Sequence, residues 1–319
     1  MNVRRRLIPA AAVTAVAALG IGTLSACSGG AAAAGTGKFD VVASFYPMTY
    51  LAEQIGGEHV HVTTLTSPGQ EPHDLEISPR QIATLEESDA VLYLKNLQPA
   101  VDDAVDQSSL GTKIDAASLT TLEVHGDEVG GHAAAHDDDH GHRGPAGKDP
   151  HVWLDPVRYA QVAEGVGKAF EKGDPGHAAD YRKNTADLVG RLHGLDQRFR
   201  DGLAHTRSKV FVTTHAAFGY LAERYGLTEE AINGLDPESE PSAARVKDLE
   251  HMAQADGVTT VFYETLVSDR TAKTVANDSG LRTDVLDPIE GITGKSRGKD
   301  YFAVQRANLE ALQRALGAK

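Results

Sequence analysis

The chain has 319 residues, a formal net charge of −14 at pH 7 and a single cysteine. The acidic balance argues against nucleic acid as a partner and suits the attraction of cations. One cysteine leaves no disulfide partner, and the length accommodates two domains of ordinary size or one large one.

Residues 1–27 read as an export signal. Arg4-Arg5-Arg6 is a positive start, Leu7 to Leu24 is apolar, and Leu24-Ser25-Ala26-Cys27 ends the stretch with small residues. A transmembrane helix is the competing reading of so long a run. Against it, the Ser/Gly/Ala-rich residues 28–37 form a flexible tether rather than a membrane flank. The Leu-Ser-Ala-Cys tetrapeptide resembles a bacterial lipobox, which implies lipidation of Cys27 and durable membrane attachment. Removing three arginines and no acids takes the charge from −14 to −17. Elsewhere no apolar run approaches membrane length, so the mature protein is expected to be soluble apart from its anchor.

A first lobe over 38–174 alternates strands and helices. Phe39 to Phe45 is a β-branched run, and Pro47 to Ile55 has helical spacing before Gly56-Gly57. Val60 to Leu65 alternates as a strand and leads into a turn-rich loop carrying His73. Pro79 opens a helix through Glu87, and Ala90 to Leu94 is another strand. This order favours a parallel sheet with ligand loops at strand ends. His59 and His61 flank Val60 at strand spacing and are expected to face solvent.

Residues 125–148 hold His125, His132, His136, His140 and His142 among acidic and small residues. Almost without hydrophobes, the segment reads as a disordered loop. Its histidine density suggests weak metal collection rather than an inert linker. The tight site is expected elsewhere, because ordering a floppy chain costs free energy.

Lys148-Asp149-Pro150-His151-Val152-Trp153-Leu154-Asp155-Pro156 follows, with the only tryptophan and a histidine between two Asp-Pro pairs. Pro156 to Phe170 is helical. Residues 175–206 then form one connecting helix on the stripe Leu188, Leu192, Leu195, Phe199 and Leu203. A second lobe over 207–319 repeats the alternation. Its strands are Lys209–Thr213, Glu229–Asn233, Thr259–Tyr263 and Thr283–Leu286. Its helices are Ala216–Tyr225, Pro241–Ala255 (capped by Glu240-Pro241-Ser242), Asp269–Ser279 and Tyr301–Leu316. His215 follows the first strand and Asp287-Pro288-Ile289-Glu290-Gly291 the last.

Three histidines at strand ends plus a carboxylate make a four-donor set suited to zinc. Separations of 78 residues from His73 to His151 and 64 to His215 exclude a zinc-finger arrangement and call for a cleft between lobes. Proline beside His73 and His151 restricts the backbone and helps preform the site.

Pro68-Gly69-Gln70-Glu71-Pro72-His73-Asp74 resembles the first signature of the metal-binding solute receptors of bacterial zinc and manganese ABC transporters. The stretches Asp149 to Pro156 and Thr214 to Leu221 are similar to the second and third, and Glu238 to Ser242 and Leu286 to Gly291 to two further blocks. The resemblance covers roughly 38 to 318. It implies an α/β fold of two lobes, each with a mostly parallel sheet, joined by one long rigid helix with metal in the cleft. It implies high-affinity capture of Zn2+ and delivery to a membrane permease, by a monomer that is not an enzyme. His215, where manganese members carry an acid, and the preceding histidine loop favour zinc.

The implied ligands are His73, His151, His215 and Glu290. Pro72 replaces the acid that some zinc receptors have before the first histidine. Glu290, Asp287 and water therefore remain alternatives for the fourth position, with Glu71 and Asp74 as solvated or loop-capping groups. Competing functions are a lipid-anchored metal-dependent adhesin and a zinc hydrolase, the latter without a His-Glu-x-x-His motif.

Overall fold

The structure is a computed structural model that describes residues 37–125, 147–239 and 241–318. Cys27, the tether up to residue 36, His132, His136, His140, His142 and Glu240 lie outside the described residues.

Two sheets of four parallel strands form the scaffold, and both have the same topology. In the first, β1 (Phe39–Ala43) lies between β2 (Val60–Thr64) and β3 (Ala90–Tyr93), with β4 (Lys113–Asp115) at the far edge. In the second, β5 (Val210–Thr213) lies between β6 (Thr228–Ala231) and β7 (Thr260–Tyr263), with β8 (Arg282–Val285) outermost. Central strands β1, β3 and β5 bury nearly every residue, as parallel strands covered on both faces do. Parallel strands that follow one another in the chain demand a crossover connection. In the first sheet these are α1 (Tyr46–Gly56), α2 (Pro79–Glu87) and α3 (Pro99–Gln107). In the second they are α6 (Gly219–Tyr225), α7 (Ala243–Ala255) and α8 (Arg270–Ser279).

Local chemistry sets the helix ends. Ser78 and Gln81 form a reciprocal capping box at α2, with Pro79 at its first turn. Asp155 caps α4 (Pro156–Gly173) by accepting from Val157 N, and Asp300 caps α9 (Tyr301–Leu316) by accepting from Ala303 N. Ser242, within the stretch expected to cap it, caps α7 by accepting from Arg245 N. Helix α6 starts at Gly219 and not Ala216, because Ala216 N is bonded to Gly234 O outside any helix. Helix α3 and strand β4 were not anticipated. Each buries only one or two hydrophobic residues, Val101 and Val105 in α3 and Ile114 in β4.

Helix α5 (Ala178–Leu203) runs for 26 residues, about 39 Å at 1.5 Å per residue. Its stripe of Leu188, Leu192, Leu195, Phe199 and Leu203 is buried along its length. One hydrophobic core joins the two halves, containing residues of β1 and α1 together with Phe211, Phe262, Leu286 and α9. Its centre is aromatic: Tyr301 stacks on Tyr50 at 5.6 Å and lies 4.8 Å from Tyr159, and Trp153 meets Phe45 edge-on at 5.0 Å. Two buried hydrogen bonds fix the same contact. Trp153 Nε1 donates to Pro288 O at 2.7 Å, and Tyr301 OH donates to Trp153 O at 2.6 Å. These bonds cross from one sheet's connections to the other's, so the halves are held in register by more than α5.

Glu229 on β6 is fully buried and accepts from Thr213 Oγ1 and Phe218 N at 2.8 and 2.9 Å. Burial pushes its carboxyl up to about 7. The stability associated with keeping it neutral is therefore complete below about pH 4.5 and lost as pH rises through about 7. The loss is on the order of 3 kcal/mol. Glu229→Gln should close that difference: denaturant unfolding of metal-free protein should show the variant gaining on the parent between pH 5 and 8. A difference that stays constant over this range contradicts a buried neutral carboxyl.

Candidate metal centre

Three of the four side chains implied as ligands lie on connections that follow a strand's C-terminal end, where parallel α/β sheets place their ligands. His73 lies on the loop after β2, and His215 immediately after β5. Glu290 follows β8, and His151 begins a 3-10 turn, Val152–Leu154, that leads into α4. From these four scattered positions the donor atoms come together in one cluster.

Four of the donor pairs stand close together. His215 Nε2 is 3.3 Å from His151 Nε2, and Glu290 Oε1 is 3.4 Å from both His73 Nε2 and His151 Nε2. His215 Nε2 lies 3.9 Å from the same oxygen. Donors at 2.0–2.1 Å around a tetrahedral zinc stand about 3.3–3.4 Å apart, so the cluster has the size of a zinc coordination shell. His73 is the one member open to solvent, at 13% side-chain exposure against 2% or less for the others. An entering ion would therefore meet His73 first.

Buried acids fix the imidazoles. Asp149 Oδ1 accepts from His151 Nδ1 at 2.7 Å and from His151 N at 2.9 Å. Glu264, at the end of β7, lies 3.0 Å from His215 Nδ1 through Oε1. A carboxylate oxygen accepts hydrogen bonds, so both Nδ1 atoms carry a hydrogen and the Nε2 atoms are the ones turned to the cluster, as donors to a metal once any proton there is displaced. Sequence reading assigned neither acid a role. Glu264 follows β7 directly, whereas Glu290 was indicated by the resemblance of Leu286 to Gly291 to a family block.

Glu290 is aimed by a strained turn. Ile289 has φ of 61°, the left-handed region that a β-branched residue avoids. Asp287 holds the turn: Oδ1 accepts from Ile289 N at 2.8 Å and Oδ2 from Thr265 OH at 3.1 Å. Asn308 brackets the Asp287 backbone, accepting from its N at 2.9 Å and donating to its O at 2.7 Å. Both oxygens of Asp287 are thus engaged in building the turn, whereas Glu290 Oε2 is buried with no hydrogen-bond partner among the described residues. Such an orphaned carboxylate oxygen is costly in the absence of a cation. Glu71 caps the first loop, accepting from His73 N and Asp74 N at 3.1 and 3.2 Å.

Electrostatics follow from this arrangement. Burial lowers His151, but the Asp149 carboxylate and then Glu290 more than offset it, holding the imidazole up at about 10. His215 is raised by Glu264 against its burial. Burial alone would raise Glu290; the surrounding histidines hold it well below the usual carboxyl range instead. Burial pushes Asp287 up to about 6.

His125 departs from expectation. Its ring is folded against Tyr220, 4.5 Å between centroids and nearly perpendicular, and Nδ1 is 2.8 Å from Asp149 Oδ2. It is not a free member of a loop, because a buried carboxylate and an aromatic face hold it. Glu123, His125 and Glu223 also converge, but the Arg158 guanidinium lies against both glutamates and offsets part of their charge. His59 and His61 pair instead with Asp180 and Asp40, at 3.0 and 3.1 Å.

Comparison with known proteins identifies the family. The family model "Zinc-uptake complex component A periplasmic" matches residues 41–315. The zinc-binding lipoprotein AdcA of Streptococcus pneumoniae is 34% identical over 284 residues, covering 87% of this chain and 56% of the relative. This chain thus spans about half the length of the first relatives it matches. The high-affinity zinc uptake system protein ZnuA of Bacillus subtilis is 31% identical, with 88% of this chain and 89% of the relative covered. The Zn(II)-bound ZnuA-like domain of S. pneumoniae AdcA superposes with a TM-score of 0.72 at 31% identity, over 88% and 99% of the two chains. The laminin-binding protein Lmb of Streptococcus agalactiae gives 0.75 at 28% identity, over 87% and 99%. With the family model covering nearly all the described residues, the chain belongs to the zinc-uptake complex component A family.

Proposed function

We propose that the chain captures Zn2+ outside the cytoplasm and delivers it to the permease of an ABC transporter. His73, His151, His215 and Glu290 are the ligands. The observation that carries this reading is the convergence of one donor atom from each of three histidines and one buried carboxylate within 4.8 Å of one another, four of the pairs at 3.3 to 3.9 Å. Imidazole donors suit zinc better than calcium or magnesium. The names of AdcA and ZnuA, both zinc proteins, support the same cargo.

Glu290 supplies a fourth donor where a hydrolytic zinc site keeps a position open for water, so the chain acts as a receptor rather than an enzyme. The lipobox-like Leu24-Ser25-Ala26-Cys27 supports a lipid anchor at Cys27. His132, His136, His140 and His142 act as weak, auxiliary zinc collectors, and the receptor works as a monomer. A second reading, adhesion in addition to transport, draws on the likeness to Lmb, which is described as bifunctional with adhesin and metal-transporting activity.

Competition against a chelator tests the ligand set. Alanine at His73, His151 or His215 should each weaken zinc by roughly 3 kcal/mol, a quarter of the ~10–16 kcal/mol of a four-ligand structural site. Glu290→Gln should weaken it more than Asp287→Asn, since only Glu290 faces the cluster. A histidine variant within threefold of the parent is not a ligand, and the reverse acid ranking moves the fourth ligand to Asp287.

Proton linkage provides a separate check. With His151 held at about 10, the metal-free site carries a proton at neutral pH that zinc must displace to reach Nε2. Binding should therefore release about one proton or more, and affinity should rise with pH. Calorimetry at pH 7.5 in buffers of differing ionisation enthalpy measures this, and zero release contradicts it.

A further inference from the structure

Asp149 holds two imidazoles, and the function proposed above uses only one of them. Oδ1 binds His151, while Oδ2 binds Nδ1 of His125 at 2.8 Å. The carboxylate is fully buried. As an acceptor between two Nδ1 atoms it requires both rings to donate. His125 is itself held from several sides. Glu223 lies 3.7 Å from its Nε2, and Tyr220 packs edge-to-face on its ring.

The backbone around this contact is equally fixed. Asp149 N donates to Glu123 O at 2.8 Å. Tyr220 OH donates to Asp149 O and accepts from Glu123 N, each at 2.8 Å. Arg158 lies over the Tyr220 ring at 4.6 Å. Gly219 is the clearest sign that the ring belongs there. A Cβ at that position would come within 2.6–2.8 Å of His125 Cγ, Cβ and Nδ1, closer than real Cβ contacts come. The start of α6 thus leaves out a side chain where the imidazole sits.

We infer that His125 is a positioning residue for the metal centre: through Asp149 it fixes the orientation of the His151 ring. This rests on the reading of His151 as a zinc ligand. Without the His125 donor, Asp149 Oδ2 is left buried and unpaired, an arrangement proteins avoid. The carboxylate then shifts or recruits water, and His151 turns with it. Outer hydrogen-bond partners of metal-bound histidines commonly change metal affinity tenfold to a hundredfold.

The test compares the parent with His125→Ala, His125→Asn and Gly219→Ala. Asparagine carries an amide donor close to where Nδ1 stands, and Gly219→Ala displaces the ring without altering any ionisable group. Zinc affinity by chelator competition, the visible spectrum of the cobalt-loaded protein and thermal unfolding of metal-free protein are read together. His125→Ala and Gly219→Ala should each weaken zinc tenfold to a hundredfold and change the cobalt spectrum. His125→Asn should restore both towards the parent. Three results would overturn the inference: His125→Ala within threefold of the parent, His125→Asn as weak as His125→Ala, or affinity losses that track loss of fold in the metal-free melts. A parent that binds no zinc would instead remove the metal reading itself, along with the role of His125.

Discussion

Charge balance in the interior governs this structure. Three imidazoles and a carboxylate sit at the junction of two sheets, and burying polar groups there requires that each find a partner. Asp149 serves His151, Glu264 serves His215, and Glu290 faces all three rings. The acids do more than neutralise. By accepting at Nδ1 they turn every supported Nε2 towards one point. Oε2 of Glu290 and Oε2 of Glu264 remain buried without a hydrogen-bond partner among the described residues, and a divalent cation held by Glu290 would offset part of that imbalance. The site is thus built at full cost before any ion arrives, which favours tight binding because little ordering remains.

Such a cluster needs an unyielding frame, since donors from opposite sheets lose tetrahedral spacing with small shifts. The frame is the aromatic seam of Tyr50, Tyr159, Tyr301 and Trp153, with the Trp153 indole bonded to Pro288 O two residues before Glu290. Trp153 also lies 5.2 Å from the His151 ring. The residue that locks one half to the other therefore touches ligand loops of both. The left-handed Ile289 is tolerated because Asp287, Asn308 and Thr265 over-determine the turn around it. Local strain here is offset by surrounding hydrogen bonds, and its product is the direction of one carboxylate.

The alternation of β-branched runs with helical periods made the two parallel sheets legible, and Gly56-Gly57 and the Pro-led helix starts marked boundaries. The four cluster residues were legible through the resemblance of Pro68 to Asp74, Asp149 to Pro156, Thr214 to Leu221 and Leu286 to Gly291 to the family's signatures; proline-marked or strand-ending positions alone did not single them out. Other features depended on contacts between distant parts of the chain. His125 lies in a run of low complexity, so composition grouped it with the residues that follow. Its partner Asp149 and the cleared space at Gly219 come from other segments. Glu264 looked like an ordinary acid until β5 and β7 paired and brought it beneath His215. Strand β4 has three residues with one facing the core, too few for any periodicity to register.

X-ray absorption at the zinc edge on stoichiometrically loaded protein tests the central claim most directly. Four light-atom donors at about 2.0–2.1 Å, with the multiple-scattering pattern of three imidazoles and one carboxylate oxygen, is the predicted result. A shell with two or fewer imidazoles, or six oxygen-rich neighbours at longer distance, would contradict the assignment of His73, His151, His215 and Glu290.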